Sequence, residues 1–501
     1  MSIRKRSLII MLSRAFTRVT AVVLGVILVR LISEETLGTY RQVFLVYSLV
    51  AAIIAFRLES SLFYFVPIVD ASRRRVLVLQ TILTTCLASL AMGAVLFFGS
   101  GVASRLMNNP QLDSLVRVLW LFPLVDGLSL LVPAYMISVD RVVRAGVYSA
   151  AASVLRVAVV VAAFALGLGV PDVIRLSVLT VGVVAVVGCI EMVRFTPGGP
   201  LRFDPGLIAK QVRYMWPLWA TVTVGVLNMR LDRFLISNAF DPATYAVYSC
   251  GAFEIPLPLL VTGSIATAMM PTLVALAHKN RVPEVLSIWQ EAARKGGLVI
   301  LPCFALLLPL SRDLMVLLYR EGYAMAAWPF AIYLCALPVH VVLYNSFLRA
   351  VGRTRPIAAS AAIGLAVNVA VSVFLVKIGR GSLLSFIGPS IGTVCSIVVA
   401  AAYMIRSIGG TAGVPVSGVM PWKDLGRIFA VSAVAGLVMY SIPLPEMLLP
   451  VRLLVRVAVF GAVLALGVRL AGILRDDEKR LLVAPVRALL RLLGWTAGES
   501  E

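Results

Sequence analysis

Apolar segments of about twenty residues follow one another along almost the whole chain, at about 7–32, 42–66, 76–99, 115–139, 145–168 and 172–193. They resume at about 213–236, 244–276, 296–319, 327–349, 357–377 and 384–405. A segment of ~20 apolar residues is long enough to cross the ~30 Å hydrocarbon core of a bilayer. Unpaired backbone groups are costly in lipid, so such segments must be helices, and no alternating pattern of a barrel competes with them. Two further spans are expected near 425–443 and 450–471, after a Gly-rich loop from Gly409 to Pro421. The sequence therefore predicts an all-α polytopic membrane protein with about fourteen transmembrane helices, and its 14% of charged residues, against ~25% in soluble domains, agrees.

The twelve leading spans form two copies of one unit. Ser13 to Tyr47 reads SRAFTRVTAVVLGVILVRLISEETLGTYRQVFLVY, and Arg213 to Tyr248 reads RYMWPLWATVTVGVLNMRLDRFLISNAFDPATYAVY. Each is an apolar helix interrupted by charges, then Leu-Ile-Ser, a short acidic turn and a Thr-Tyr pair, Thr39-Tyr40 or Thr244-Tyr245. Arg141 to Gly169 resembles Gly352 to Gly379 more loosely and sets Arg156 opposite Asn368. The expected organisation is a six-helix lobe over 1–195, a Pro- and Gly-rich linker at 196–212 and a second six-helix lobe over 213–406. An unrepeated helix pair at 425–471 and an amphipathic interfacial helix at 475–493 complete it. An even number of spans per copy makes the repeat parallel, and internal duplication in a membrane suggests a transporter.

The formal net charge of +21 would suggest nucleic acid in a soluble protein. Here the basic residues gather in every second loop, as at Arg73, Arg74 and Arg75 or Arg349, Arg353 and Arg355. Those loops hold roughly three times the Lys and Arg of the alternate ones, which places them in the cytoplasm together with both termini. The basic, apolar N-terminus has the outline of a signal peptide, but its run is long, carries Arg14 and Arg18 and lacks a small-x-small cleavage site, so an uncleaved first helix is expected. The six cysteines fall in or beside apolar segments without a CxxC pair and read as reduced packing residues.

An ionisable side chain at bilayer depth costs at least ~2.5 kcal/mol, so each needs a partner, a wet cavity or a function. Arg14 and Arg18 lie roughly 10 and 16 Å from the cytoplasmic end of the first helix, and four-residue spacing puts them on one face. With Arg57 at comparable depth in the second helix, they would make an anion site, since a guanidinium fork bonds two phosphate oxygens. Arg14 could instead snorkel and Arg57 pair with Glu59. Asp126, Arg156, Glu254, His340 and Asn368 all fall near the middle of their spans. Asp126 lies between Pro123 and Pro133, and Glu254 precedes Pro256 and Pro258, so both carboxylates are expected where a helix breaks or bends. They could carry a coupling ion, Na⁺ or H⁺, or form Asp-Arg and Glu-Arg pairs that lock packing. His340 is a packing residue or a proton relay. Arg230, Asp232 and Arg233, near the far end of the seventh helix, suit a gate or a local ion pair, with Arg30 in the equivalent place of the first helix.

No GxxxxGK[ST], HExxH or GxSxG occurs, and no loop is long enough for a catalytic domain. A transporter without enzymatic activity or cofactor is the expectation.

The stretch YMWPLWATVTVGVLNMRLDRFLISNAFDPATYAVYSCGAFEIPL resembles the start of the second lobe in polysaccharide-export flippases of the Wzx/RfbX type, in the multidrug/oligosaccharidyl-lipid/polysaccharide (MOP) superfamily. SRAFTRVTAVVLGVILVRLISEETLGTYRQVFLVYSLV is similar to that family's opening helix pair, and the pattern extends to about residue 405. The resemblance implies two lobes around a cationic cavity that binds a polyprenyl-pyrophosphate-linked oligosaccharide, with Arg14, Arg18 and Arg57 on helices that line it. It implies function beside a polysaccharide polymerase and glycosyltransferases in the bacterial cytoplasmic membrane. The extra helix pair is similar to the last two helices of lipid II flippases, which form a groove for the lipid tail. A drug or cation exporter of the same fold, or a lipid II flippase, is the alternative.

Overall fold

The computed structural model describes residues 3–56, 58–196, 198, 203–253, 255, 257–445 and 447–475, with the side chains at 3–8, 11, 14 and 257–259 outside that description. Every regular element among the described residues is a helix. Contacts divide the chain into two compact units, the first built from Met1–Phe253, Leu318–Ile332 and Ala361–Ser396, the second from Glu254–Leu317, Tyr333–Ser360 and Ile397–Glu501.

The first unit opens with α1 (Ile3–Leu31), α2 (Glu34–Ile54), α3 (Glu59–Ile68) and α4 (Ala71–Leu106). It continues through α5 (Gln111–Val118), α6 (Phe122–Ser138), α7 (Val142–Ala165), α8 (Val170–Arg194), α9 (Pro205–Ala239) and α10 (Pro242–Gly251). The remaining helices are α11 (Leu257–His278), α12 (Val282–Leu307), α13 (Ser311–Tyr319), α14 (Ala327–Leu334), α15 (Tyr344–Ala350), α16 (Arg355–Gly379), α17 (Leu383–Ala412), α18 (Trp422–Ser441) and α19 (Leu449–Leu470). Ten described helices are long and apolar enough to cross a membrane, or up to 12 if each of two bent pairs is one span. The 29-residue α1 and the 35-residue α9, which open the two repeats, are also long enough to cross, and counting them with the two bent pairs would give the expected fourteen. The protein is a multi-pass membrane protein.

Local chemistry explains where the helices start. Asp204 accepts from the Leu207 amide at 3.1 Å, and Pro205 follows, so α9 begins inside the stretch expected to be a linker at 196–212. Ser33 caps α2 through the Thr36 amide at 3.2 Å, which starts the second helix well before the expected residue 42. That span is also broken: α2 stops at Ile54 and α3 begins at Glu59. No proline marks the break. Asp126, expected where a helix breaks or bends, lies inside α6 between Pro123 at its start and Pro133 within it, and the 3-10 turn at Leu119–Leu121 comes just before that helix. Glu254 lies outside the described residues, as does the tail expected to be helical at 475–493 beyond Arg475.

Three features hold the first unit. An apolar core joins α3, α4, α6 and α8 through Leu62, Phe65, Leu77, Leu131, Tyr135 and Met192. Beneath it Gln211 of α9 donates to Ser61 Oγ at 2.9 Å and Thr81 Oγ1 at 3.0 Å, satisfying a buried amide as low dielectric requires. The second helices of the two repeats, α2 and α10, meet so closely that a Cβ on Gly38 would overlap the Pro242 carbonyl oxygen. Polar bonds line this seam. Gln42 donates to Ser237 Oγ at 2.9 Å, Asn109 to Gln42 Oε1 at 2.7 Å, and Arg41 Nη1 to Ser249 Oγ at 2.7 Å. In the second unit Ala305, Leu310, Ala435, Met439, Leu453 and Phe460 form a core that ties α18 and α19 to α12. There Asp313 accepts from Arg452 at 3.0 Å and Arg456 at 2.9 Å.

Candidate functional site

The break between α2 and α3 opens a cavity of about 270 Å³ inside the first unit, walled by α2, α3, α4, α6 and α9. Ending a helix in an apolar setting frees carbonyl groups that need donors. Thr223 of α9 supplies one, its hydroxyl donating to the Ala52 carbonyl at 2.6 Å, and the Ala55 amide closes on Ala51 O at 2.9 Å. The chain can therefore turn aside at Ala55 and Phe56, both of which line the cavity.

Asp126 projects from α6 into this space. Its Oδ2 accepts from the Tyr47 hydroxyl at 2.7 Å and its Oδ1 from Arg156 Nη2 at 3.3 Å. Phe122, one turn earlier on α6, braces both partners: Tyr47 meets its ring edge-on at 4.9 Å, and the Arg156 guanidinium lies 5.8 Å from its centroid. The carboxylate thus carries a donor on each oxygen and a compensating charge. Glu59, Arg230, Thr85 and Ser89 bring further polar groups to the walls.

The remaining wall is aromatic. Phe56 stacks on Trp219 at 5.5 Å with 16° between the planes and on Trp216 at 6.0 Å, and the two indoles lie 5.0 Å apart. Trp219 and Phe56 face the cavity. The Trp219 Nε1 and the Thr85 Oγ1 are buried there without a hydrogen-bond partner among the described residues.

Of the residues singled out in the sequence, Asp126, Arg156 and Arg230 gather at or beside this cavity. Arg18 is exposed on α1 and does not line it. The side chain of Arg14, and the whole of Arg57 and Glu254, lie outside the described residues. Asp232 is 1% exposed and accepts from Tyr248 OH at 3.2 Å, which also lies 2.9 Å from Ser390 Oγ. Arg233 donates to the Ala252 carbonyl at 2.6 Å, beyond the end of α10, and Arg30 reaches the Leu318 carbonyl at 2.8 Å. Asn368, opposite Arg156 in the repeat, donates to Asn228 Oδ1 at 2.9 Å and accepts from Ser372. His340 lies in the second unit, in a 3-10 turn with a non-helical backbone (φ −86°, ψ 21°). The sequence reading named Glu59 only as a partner for Arg57, and it missed Tyr47, Phe56, Thr85 and Trp219. Only the Trp216-Pro217-Leu218-Trp219 cluster offered a signal, two indoles beside a proline in a charged helix.

Solved structures share the fold. An inward closed conformation of the lipid II flippase MurJ matches over 91% of this chain and 98% of its own, with a TM-score of 0.70 and 14% identity. An inward-facing multidrug resistance MATE family transporter of the MOP superfamily matches over 79% of this chain and 95% of its own, with a TM-score of 0.61 and 13% identity. A MOP superfamily transporter from Pyrococcus furiosus, described as having a binding pocket of reverse polarity, matches over 81% and 94% at a TM-score of 0.55 and 13% identity. The fold is that of MOP superfamily transporters. The model of one family, described as polysaccharide biosynthesis protein, matches residues 27–327; the chain belongs to that family, as the resemblance of its two helix-pair motifs implied. No curated protein matches the chain.

Proposed function

We propose that the protein flips a polyprenyl-pyrophosphate-linked oligosaccharide, a repeat unit of O-antigen, capsule or exopolysaccharide, across the bacterial cytoplasmic membrane by alternating access. The observation that carries this reading is that residues 27–327, which match the polysaccharide biosynthesis family, include every helix walling the cavity. Both termini are cytoplasmic in this proposal. Glycosyltransferases build the substrate on the inner leaflet, and a polymerase consumes it outside. Arg14, Arg18 and Arg57 meet the pyrophosphate, and the protein itself catalyses no covalent step. An ion gradient drives the cycle, with H⁺ or Na⁺ carried at Asp126 or Glu254.

Deleting the protein from its host tests the reading. Lipid-linked oligosaccharide should then accumulate in the inner leaflet while surface polymer is lost, and Arg18→Ala or Arg57→Ala should fail to restore the polymer although each inserts normally. Normal surface polymer in the deletion strain would overturn the function, and full rescue by both Ala variants would overturn the pyrophosphate site.

A second reading has one observation in its favour, because two carboxylates and stacked aromatics in a cavity are also what an exporter of organic cations needs. Arg156 on Asp126 and Arg230 in the wall offset those carboxylates, and a cavity without net negative charge gives a cation little to bind. Accumulation assays with tetraphenylphosphonium separate the two readings.

A further inference from the structure

We propose that a crevice on the surface of the first unit, between α4, α5, the 3-10 turn at Leu119–Leu121 and α8, is a binding site for one zwitterionic aminophospholipid. Arg117 and Arg175 hold its phosphodiester, Asp113 and Asp172 meet its ammonium group, and an apolar floor takes the start of an acyl chain. The site is separate from the cavity around Asp126 and does not depend on the flippase reading.

The crevice has a volume of about 540 Å³ and shares no lining residue with the cavity at Asp126. Phe97, Trp120 and Leu179 are exposed along it, so its floor is apolar. Phe97 and Leu179 lie roughly 14 Å inside the ends of α4 and α8, whereas Arg117 and Arg175 lie roughly 9 and 8 Å from the starts of α5 and α8, at ~1.5 Å per residue. The charged groups therefore sit nearer the membrane surface and the apolar ones deeper, in the order of a lipid's headgroup and chain, with Trp120 beside them as an interfacial ring. α4 and α8 expose further apolar side chains, Phe98, Val102 and Val183 among them, so the ligand comes from the bilayer. In the proposed topology this is the outer leaflet, because α4 runs from the basic Arg73–Arg75 loop to this end.

The two guanidinium groups are held in place but keep open donors. Arg117 Nη2 donates to the two Asp113 oxygens at 3.1 and 3.0 Å and its Nε to Ser100 Oγ at 3.1 Å, which leaves Nη1 with no partner among the described residues. Arg175 makes one bond, from Nη1 to Asp172 Oδ1 at 2.7 Å. The two side chains are 52% and 64% exposed, so their open N–H groups can be reached from the crevice they line. A guanidinium with a free edge suits a phosphodiester. Each arginine also has its own carboxylate, so the site carries no net charge. That balance discriminates among lipids: an anionic headgroup would meet two carboxylates and no surplus positive charge, while an ethanolamine headgroup sets phosphate on guanidinium and ammonium on carboxylate. A choline headgroup has the same charges but no N–H to give to Asp113 or Asp172.

The test titrates the purified full-length protein in detergent micelles with dioleoyl-phosphatidylethanolamine, dioleoyl-phosphatidylcholine and dioleoyl-phosphatidylglycerol, and reads the retained lipid by native mass spectrometry. The ethanolamine lipid should be held about tenfold more tightly than either of the others, equivalent to ~1.4 kcal/mol. Arg117→Gln combined with Arg175→Gln should remove that preference. Arg117 also ties α5 to Ser100 of α4, so Arg175→Gln alone, which gives up one exposed bond, guards against misfolding and should weaken the ethanolamine lipid by a smaller factor. Asp172→Asn leaves a surplus guanidinium charge and should shift the preference toward phosphatidylglycerol, a change that general weakening of the fold would not produce. Arg281→Gln, which opens a similarly exposed pair with Glu284 in the second unit, should bind as the parent does. Equal retention of the three lipids by the parent, a parent preference for phosphatidylglycerol, or a double arginine variant that keeps the parent's preference would overturn the proposal. An unchanged order of lipids in Asp172→Asn would overturn it as well.

Discussion

At the scale of single residues, the Asp126 carboxylate is held by two donors from different helices, and these are separable. Tyr47→Phe removes one hydrogen bond to a charged group, a loss of about 1.5 kcal/mol, and leaves the ion pair intact. Asp126→Ala strands Arg156 against the Phe122 ring; because the Asp126 and Arg156 side chains are 20% and 43% exposed, the loss should be about 2 kcal/mol, below that of a fully buried pair. Thermal unfolding in detergent measures both, and an Asp126→Ala melting point equal to the parent's would refute the structural role of the pair. Outside the spans, Asp241 caps α10. Burial opposes its charge, but the amide and hydroxyl of Thr244, at 2.9 and 2.8 Å, outweigh that and hold the carboxyl below its ordinary value of 3.8. A lowered folded pKa gives stability that is complete above the unfolded value and disappears as pH falls through the folded one. Asp241→Ala should therefore cost about 1 kcal/mol at neutral pH, and the gap between its melting point and the parent's should shrink as the pH is taken below 3.8.

At the scale of elements, the seam between α2 and α10 shows how a duplicated sequence becomes structure. The Thr-Tyr pairs that mark the two copies lie on the two helices that meet, and Tyr40 and Tyr245 are both buried beside the contact. What closes it is Gly38, since any side chain there must push against backbone of Pro242 rather than a movable side chain. Gly38→Val should thus destabilise the fold by about 3 kcal/mol, the upper part of the range for overpacked sites, whereas Gly99→Ala, inside α4 with open space around its Cβ position, should cost nothing and can add up to ~1 kcal/mol through helix propensity. Equal melting of the Gly38 variant and the parent would show that the helices part without penalty. The seam was half legible: the repeat announced that these helices correspond, but their direct contact depends on packing. The broken second helix was not legible, because Ile54 to Leu58 contains neither Pro nor Gly and the group that stabilises the break, Thr223, lies 171 positions further along the chain.

At the scale of the molecule, the two C-terminal helices, which have no counterpart in the repeat, are part of a core. Met439 of α18 and Leu453 and Phe460 of α19 pack with Ala305 and Leu310, and Arg452 and Arg456 hold Asp313 from α13. A chain ending after Met420 would expose that apolar cluster and leave a carboxylate without both of its guanidinium partners. It should accumulate poorly and aggregate in detergent, as read by fluorescence-detected size exclusion; a monodisperse truncated protein would show that the pair is an appendage. Sequence was enough to establish the membrane class, the helical content, the duplication and the family, because lipid forces every apolar span to satisfy its own backbone and so writes the class into local composition. Tertiary packing alone decided which charges meet. Asp126 finds Tyr47 at a separation of 79 residues, and Trp219 finds Phe56 across two repeats. Helical periodicity fixes the face on which a side chain lies, but the neighbour of that face is chosen by long-range contacts that no local pattern contains.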